Sequence, residues 1–207
     1  MTEESRIHLS AQTLKGIAHP IRVRLLGLLR SEGPSTATKL AERIGQSSGV
    51  TSYHLRQLAQ YGFVEEAADL GTGRERWWQA SHRSTTLDAP AAREAPVETE
   101  IYMRAVATTS AERVDRWLGE ATSIPSDWDD SMGLNDYALL LTPQEAAELL
   151  AKLNEIVQTY RAYYERPVPE GAERVEVQVN VMPFLSRTSN SSPAAPAEKT
   201  ATPTEEN

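Results

Sequence analysis

The sequence predicts an α+β protein with two small domains and a tail. Three changes of pattern along the chain support this prediction. Apolar residues recur at helical spacing as far as Tyr61, near-alternation replaces that spacing over 63–80, and a later helical pattern is followed by strict alternation at 174–181. We expect a first domain at 8–82, a linker at 83–97, a C-terminal α+β domain at 98–185 and a disordered tail at 186–207.

The charges are distributed unequally between the two halves. The net charge of the 207 residues is −8, but residues 1–82 contain ten Lys/Arg against eight Asp/Glu, whereas residues 83–207 contain eleven against twenty-one. Only the local field near a phosphate has to be positive for nucleic-acid binding. We therefore expect the first half, and not the acidic second half, to contact nucleic acid.

The composition excludes several kinds of chemistry. The sequence has no cysteine, so it can form no disulfide, thiolate metal site or cysteine nucleophile. The four histidines are scattered, and the acids of Asp127, Asp129 and Asp130 are ordinary for a solvated loop. We predict no enzyme activity, no metal site and no cofactor. The chain has no apolar run near twenty residues and no signal-peptide order at its start, which predicts a cytoplasmic protein.

Three helices are predicted before residue 46. Residues 8–18 are weakly helical, and a second helix begins at Pro20, a favoured first helical residue, and ends at Gly33. The third begins after Thr36, a plausible N-cap, and ends at Gly45, which suits the left-handed position.

The stretch 47–62 predicts a fourth helix whose polar face carries no acid. Short hydroxyls, an amide, a phenol and one guanidinium can hydrogen-bond base edges in a major groove without repelling phosphate. An ordinary solvated face, usually filled by Glu and Lys, is the alternative. Two short helices joined by a tight turn, the second with such a face, predict a helix-turn-helix. The apolar stripe comprises Thr51, Leu55, Leu58 and Ala59, and the opposite face comprises Gly49, Ser52, Tyr53, Arg56 and Gln60. His54 lies on the flank of the stripe, where it is either a structural residue or a base reader.

Near-alternation over 63–80, with two glycines at the centre, predicts a β-hairpin. A hairpin directly after a recognition helix is typical of the wing of a winged helix. Arg74 and Arg76 are two residues apart and share a face of the return strand. They either contact phosphate or the minor groove, or pair across the strands with Glu65 or Glu66. We favour DNA contact by at least one arginine.

Three segments resemble a known family. They are 18–26 (AHPIRVRLL), 51–58 (TSYHLRQL) and 73–78 (GRERWW), and with them residues 11–80 are similar to the winged helix-turn-helix of the ArsR family of bacterial transcription regulators. The resemblance implies a homodimeric repressor that binds palindromic operator DNA. Metal-sensing members use cysteines or acid/His clusters that this sequence lacks, so metal sensing is not carried over.

We therefore predict a sequence-specific DNA-binding transcription regulator, expected to be a repressor, whose partners are double-stranded DNA and a second copy of itself. The alternative is an interaction adaptor whose winged helix binds a protein. The hydroxyl-rich face with its arginine favours DNA. The predicted DNA contacts are Thr36, Ser47, Ser48, Gly49, Ser52, Tyr53, Arg56, Gln57, Arg74 and Arg76.

The second domain is predicted as helix, strand, helix, strand. The helices lie at 98–121 and after the cap and proline at 142–143, and the strands at 134–141 and 174–181. Two helices and two strands bury little apolar area by themselves. We therefore expect a second copy or the winged helix to cover them. Candidate dimer helices are 9–17 and 101–118. A small organic effector could be bound by aromatic residues, for which a core role is the alternative: Trp117, Trp128, Tyr137, Tyr160, Tyr163 and Tyr164.

Overall fold

The computed structural model describes residues 6–70, 75–161 and 167–184. The contacts divide the chain into two compact units, residues 1–133 and residues 134–207. The first unit combines helices with two small sheets, which confirms the predicted α+β class. Among the described residues, no helix has both the length and the apolar character needed to span a bilayer.

The helices and strands of the first unit follow one another with short connections. Short 3₁₀ turns cover Ala68–Leu70, Ala121–Ser123 and Ser126–Ser131, the last within a predicted loop. The longer elements are β1 (Arg6–Leu9), α1 (Ala11–Ile17), α2 (Pro20–Glu32), β2 (Ser35–Thr36), α3 (Ala37–Ile44), α4 (Ser48–Gln60), β3 (Val64–Glu66), β4 (Trp77–Ala80), β5 (Ser84–Leu87), α5 (Ala89–Glu94) and α6 (Pro96–Glu120).

Local sequence explains where the central helices begin and end. Pro20 occupies the first position of α2, where its missing N–H is not needed. The Thr36 hydroxyl caps α3 by accepting a hydrogen bond from the Lys39 N–H at 3.4 Å. Gly45 ends α3 with φ 66°, a left-handed conformation that favours glycine. These boundaries confirm the ones predicted from the sequence.

The core lies where α1, α2, α3 and α4 meet the small sheets. Leu14, Leu25, Leu55, Leu58 and Phe63 are fully buried there. Helix α6 packs against α2 and α1 and buries Ala105. The long helix is therefore part of the first unit's core.

The predicted linker at 83–97 was wrong. Residues 84–87 form β5, which pairs in parallel with β1, from Arg6 opposite Ser84 to Leu9 opposite Leu87. Helix α5 follows and buries Ala91. The small Ala, Ser and Thr side chains that resemble a linker in sequence also allow close packing. The same pairing corrects the start of the weak helix predicted over 8–18, because residues 6–9 are a strand.

The predicted hairpin is confirmed, with shorter strands than expected. Strand β4 pairs antiparallel with β3, with Glu65 opposite Gln79, and on its other edge with β2, with Thr36 opposite Trp77. The resulting sheet has the order β2-β4-β3. Strand β2 was not predicted, because two residues are too few to show alternation. It joins the start of α3 to the first two residues of β4.

The described part of the second unit contains α7 (Pro143–Thr159) and no strand. The start of α7 is confirmed, with a capping box in which Glu145 accepts from the Thr142 N–H at 2.8 Å. The strands predicted at 134–141 and 174–181 are wrong. Alternation selects which side chains share a face, but a strand also needs a hydrogen-bonded neighbour. The tail predicted at 186–207 lies outside the described residues.

Candidate nucleic-acid interface

Helices α3 and α4 form a helix-turn-helix with a three-residue turn. The Gln46 N–H donates to the Ala41 carbonyl at 2.9 Å, which closes the end of α3. The Ser47 hydroxyl then accepts from the Val50 N–H at 3.3 Å and caps α4. Both hydrogen bonds lie within the connection, so the angle between the two helices is set locally.

The orientation of α4 is fixed by its apolar stripe. Thr51, Leu55 and Leu58 are fully buried against the core, as the helical spacing predicted, and Ala59 is half-buried. Burial of one stripe leaves the opposite face toward solvent.

The exposed face of α4 carries the predicted polar residues. Tyr53 is 56% exposed, Ser52 is half-buried, and Gly49 and Arg56 are exposed. The Arg56 Nε donates to the Ser52 carbonyl at 3.2 Å, which holds this side chain along its own helix. No acidic residue occurs in α4, so this face offers donors and acceptors to a base edge without a repulsive charge.

Three further predicted contacts flank this face. Ser47 and Ser48 are exposed at the start of α4, and Ser47 serves as its cap. Gln57 is half-buried, and its Nε2 donates to Gln60 Oε1 at 3.4 Å. Its amide is therefore engaged within the helix surface.

Thr36 does not fit its predicted role as a DNA contact. Its side chain is buried, with 2% exposure, and its hydroxyl caps α3. Its contribution is to hold the first turn of α3 beside the sheet. The hydroxyl is engaged as the cap of α3, so Thr36 borders the groove described below with little exposed surface.

His54 has a structural environment. The residue is 7% exposed. Its ring centroid lies 4.4 Å from that of His19 and 5.2 Å from that of Tyr53. This ring cluster, tilted at His19 and edge-on at Tyr53, lies between α2 and α4, so His54 is placed to support the helix rather than to read a base.

The wing arginines are only partly described. Arg76 immediately precedes β4, and its Nη1 donates to Glu66 Oε1 at 2.9 Å, the cross-strand alternative raised by the sequence. The Arg76 and Glu66 side chains are 66% and 51% exposed, and such surface pairs contribute little stability. DNA could therefore compete for Arg76. Arg74 lies outside the described residues.

A groove separates α4 from the wing. It unites residues far apart in sequence, because β2 brings the start of α3 against β4. One acid lies in it: Glu75, whose Oε1 accepts from the Thr38 hydroxyl at 3.2 Å. Sequence reasoning missed Glu75, since only the fold places it beside α4. The groove is lined by Thr36, Ala37, Thr38, Ser48, Ser52, Arg56, Glu75, Arg76 and Trp78.

In the ring cluster behind α4, protonation of His19 and His54 is electrostatically unfavourable. Burial and the nearby Arg22 guanidinium lower the pKa of His19. Burial, His19 and Arg22 lower the pKa of His54. The phenols of Tyr53 and Tyr61 lie near the same guanidinium. Both imidazoles are therefore kept neutral at neutral pH.

Acid is expected to destabilise the first unit through the two histidines of this ring cluster. At a pH above the ordinary histidine pKa of about 6.5, both imidazoles are neutral in the folded and in the unfolded chain. As the pH falls below that value, the unfolded chain takes up protons that the folded chain resists, so the free energy of unfolding falls. Urea unfolding of the wild type and of His54→Gln at about pH 7.5 and about pH 5 measures this effect. A pH dependence unchanged by the substitution would contradict the assignment.

The fold and this interface define the first unit as a winged helix-turn-helix domain. A family model described as a helix-turn-helix domain matches residues 17–67, which run from the end of α1 through β3. Within the described residues, no group of three or more His, Asp or Glu side chains could hold a metal ion.

Two solved structures are similar to the chain at low identity. One is AbfR in its disulfide form, with 15% identity, coverage of 49% of this chain and 68% of that chain, and a TM-score of 0.27. The other is a double mutant of Lactococcus lactis ZitR in the apo form, with 17% identity, coverage of 72% and 86%, and a TM-score of 0.28. No curated protein matches the sequence.

Proposed function

We propose that the protein is a sequence-specific DNA-binding transcription regulator that represses from a palindromic operator as a homodimer. The observation that carries the proposal is the exposed, acid-free face of α4, held by a fully buried stripe and flanked by a wing. Hydroxyl, phenol and guanidinium groups on such a helix match base edges in a major groove. The resemblance of residues 11–80 to ArsR-type regulators supports the repressor assignment.

The homodimer follows from the geometry that palindromic DNA requires. Two reading helices must lie about 34–36 Å apart to address successive turns of the major groove. Helix α6 packs on α1 and α2 through one side and leaves apolar side chains exposed elsewhere. Val97 is 66% exposed, Ile101 41% and Leu118 54%. We propose that a second copy covers these side chains.

Selection of fragments from random duplex DNA tests the proposal directly. The full chain is expected to enrich one palindromic site. Ser52→Ala and Tyr53→Ala should each weaken binding to that site by about 1–3 kcal/mol, because each removes a base-edge contact, and should affect random DNA much less. Fluorescence anisotropy with both duplexes at a fixed salt concentration measures the difference.

Gln144→Ala provides the matched control, because Gln144 is an exposed polar residue on α7 in the other unit. Its binding to both duplexes should equal that of the wild type. Equal weakening of both duplexes by the Ser52 and Tyr53 variants would show that these residues do not read bases. Failure of the wild type to bind any duplex at low salt would favour the adaptor function instead.

We further propose that the second half of the chain, residues 83–207, tunes DNA binding and does not contact DNA, since its balance of eleven Lys/Arg against twenty-one Asp/Glu opposes phosphate. Binding of an organic effector stays a prediction. Tyr137 is 77% exposed and Tyr160 is 75% exposed, so neither ring lies in an enclosed pocket. Tyr163 and Tyr164 lie outside the described residues. A regulator of this kind would act without enzymatic activity and in the cytoplasm, where the operator lies.

A further inference from the structure

Three charged side chains line the groove beside α4: Arg76, which pairs with Glu66, and Arg56 and Glu75, which have opposite charges and are not paired with each other. Arg56 lines it from α4, and Glu75 lines it from the connection between β3 and β4, two residues before β4. The Arg56 Nε donates to a carbonyl of its own helix, and Glu75 Oε1 accepts from the Thr38 hydroxyl. Neither side chain forms an ion pair with any residue that the structure describes. Each retains capacity for a further hydrogen bond.

Thr38 gives Glu75 a defined position. Thr38 lies in the first turn of α3, and its hydroxyl occupies one carboxylate oxygen of Glu75 at 3.2 Å. The contact spans residues 37 positions apart in sequence, so it depends on the packing of the wing against α3. The second carboxylate oxygen, Oε2, has no hydrogen-bond partner among the described residues. It can accept from a donor outside the protein.

The chemistry of the groove differs from that of a phosphate clamp. A phosphate would satisfy the Arg56 guanidinium but would be repelled by the Glu75 carboxylate. A G·C base pair offers both complements on one edge, because the O6 and N7 of guanine accept from a guanidinium and the N4 amino group of cytosine donates to a carboxylate.

We propose that Glu75 is a specificity-determining residue that, together with Arg56, selects a G·C base pair in the bound DNA. This inference rests on the proposed DNA-binding function and assigns a base contact to a residue outside α4. Thr38 acts as the positioning residue, because it orients the carboxylate and does not itself reach the base in this arrangement.

The test compares Glu75→Gln with the full-length wild type on a series of duplexes. The wild-type preferred site is first obtained by selection, and each of its G·C pairs is then replaced singly by A·T. For one pair, the wild type is expected to lose about tenfold in affinity and Glu75→Gln to lose measurably less, because the neutral amide accepts more weakly from the cytosine N4 amino group while the Arg56 contact to guanine remains. The discrimination at the other positions should be unchanged.

Glu65→Gln is the control, because Glu65 is an exposed acid of the same wing that bonds to Gln79 and does not line the groove. It removes the same charge and should leave the discrimination intact. If Glu75→Gln instead raises affinity for every duplex, with a steeper salt dependence, Glu75 merely repels phosphate and the proposal is overturned. Equal effects of the two variants would also overturn it. A wild type without any sequence preference would instead refute the proposed function.

Discussion

A chain truncated after Ala80 is expected not to form a cooperatively folded unit, whereas a chain truncated after Gly133 is expected to fold. The shorter chain contains the whole helix-turn-helix and wing but lacks β5, α5 and α6. Strand β1 would lose its only pairing among the described strands. The core would lose the packing of α6 on α1 and α2 and the buried Ala91, Ala95 and Ala105. A domain has only about 5–15 kcal/mol of total stability, so these losses remove most of it.

Circular dichroism during urea titration distinguishes the two chains. The chain ending at Gly133 should show a single sigmoidal transition, and the one ending at Ala80 a gradual loss of signal. Light scattering on the longer chain then tests the dimer, because α6 is present. A sigmoidal transition for the chain ending at Ala80 would show that α6 is dispensable for the fold. A monomeric longer chain beside a dimeric full-length chain would assign dimerisation to the second unit.

Gly16→Ala is expected to destabilise the first unit by about 1–3 kcal/mol, although alanine is the better helix former. Gly16 is buried in α1, and a Cβ atom there would lie 2.2 Å from Tyr61 Cγ and 2.5 Å from Tyr61 Cβ. These atoms lie next to the backbone of Tyr61, the C-cap of α4, so a simple side-chain rotation cannot relieve the clash. The helices would have to separate. The midpoint of urea unfolding measures the loss.

Gly119→Ala is the matched control for this substitution. Gly119 lies in α6, and no atom comes within 4 Å of the Cβ position. The same change of residue should therefore stabilise by up to about 1 kcal/mol through helix propensity alone. A destabilisation of similar size at both positions would contradict the steric explanation. Stabilisation at both positions would show that α1 and α4 can move apart at little cost.

The helix-turn-helix was predictable because its signals are local. The N-cap at Thr36, the glycine at position 45 and the proline at position 20 each act within one helical turn. The stripe of Thr51, Leu55 and Leu58 needs only the helical period to be recognised. The start of α7 was found for the same reason, since its capping box lies within four residues.

The errors occurred where an element depends on a distant partner. Residues 84–87 become a strand because residues 6–9 pair with them, and no periodicity in either segment announces the pairing. Conversely, residues 174–181 alternate perfectly and form no strand, because the described chain provides no neighbour for them. Local pattern determines which residues can share a face, while pairing is a property of the whole chain.

The sequence by itself determined helix α4, its acid-free face and the hairpin that follows it, because each follows from the helical or strand period of adjacent residues. Only the tertiary structure decided which side chains from other parts of the chain lie beside that face of α4. Packing of β2 against β4 places Glu75 across a groove from Arg56, buries Thr36 and leaves Arg76 beside Glu66. Contacts between residues far apart in sequence depend on how the core packs. Those contacts determine which hydrogen bonds a polar side chain still has available for a ligand.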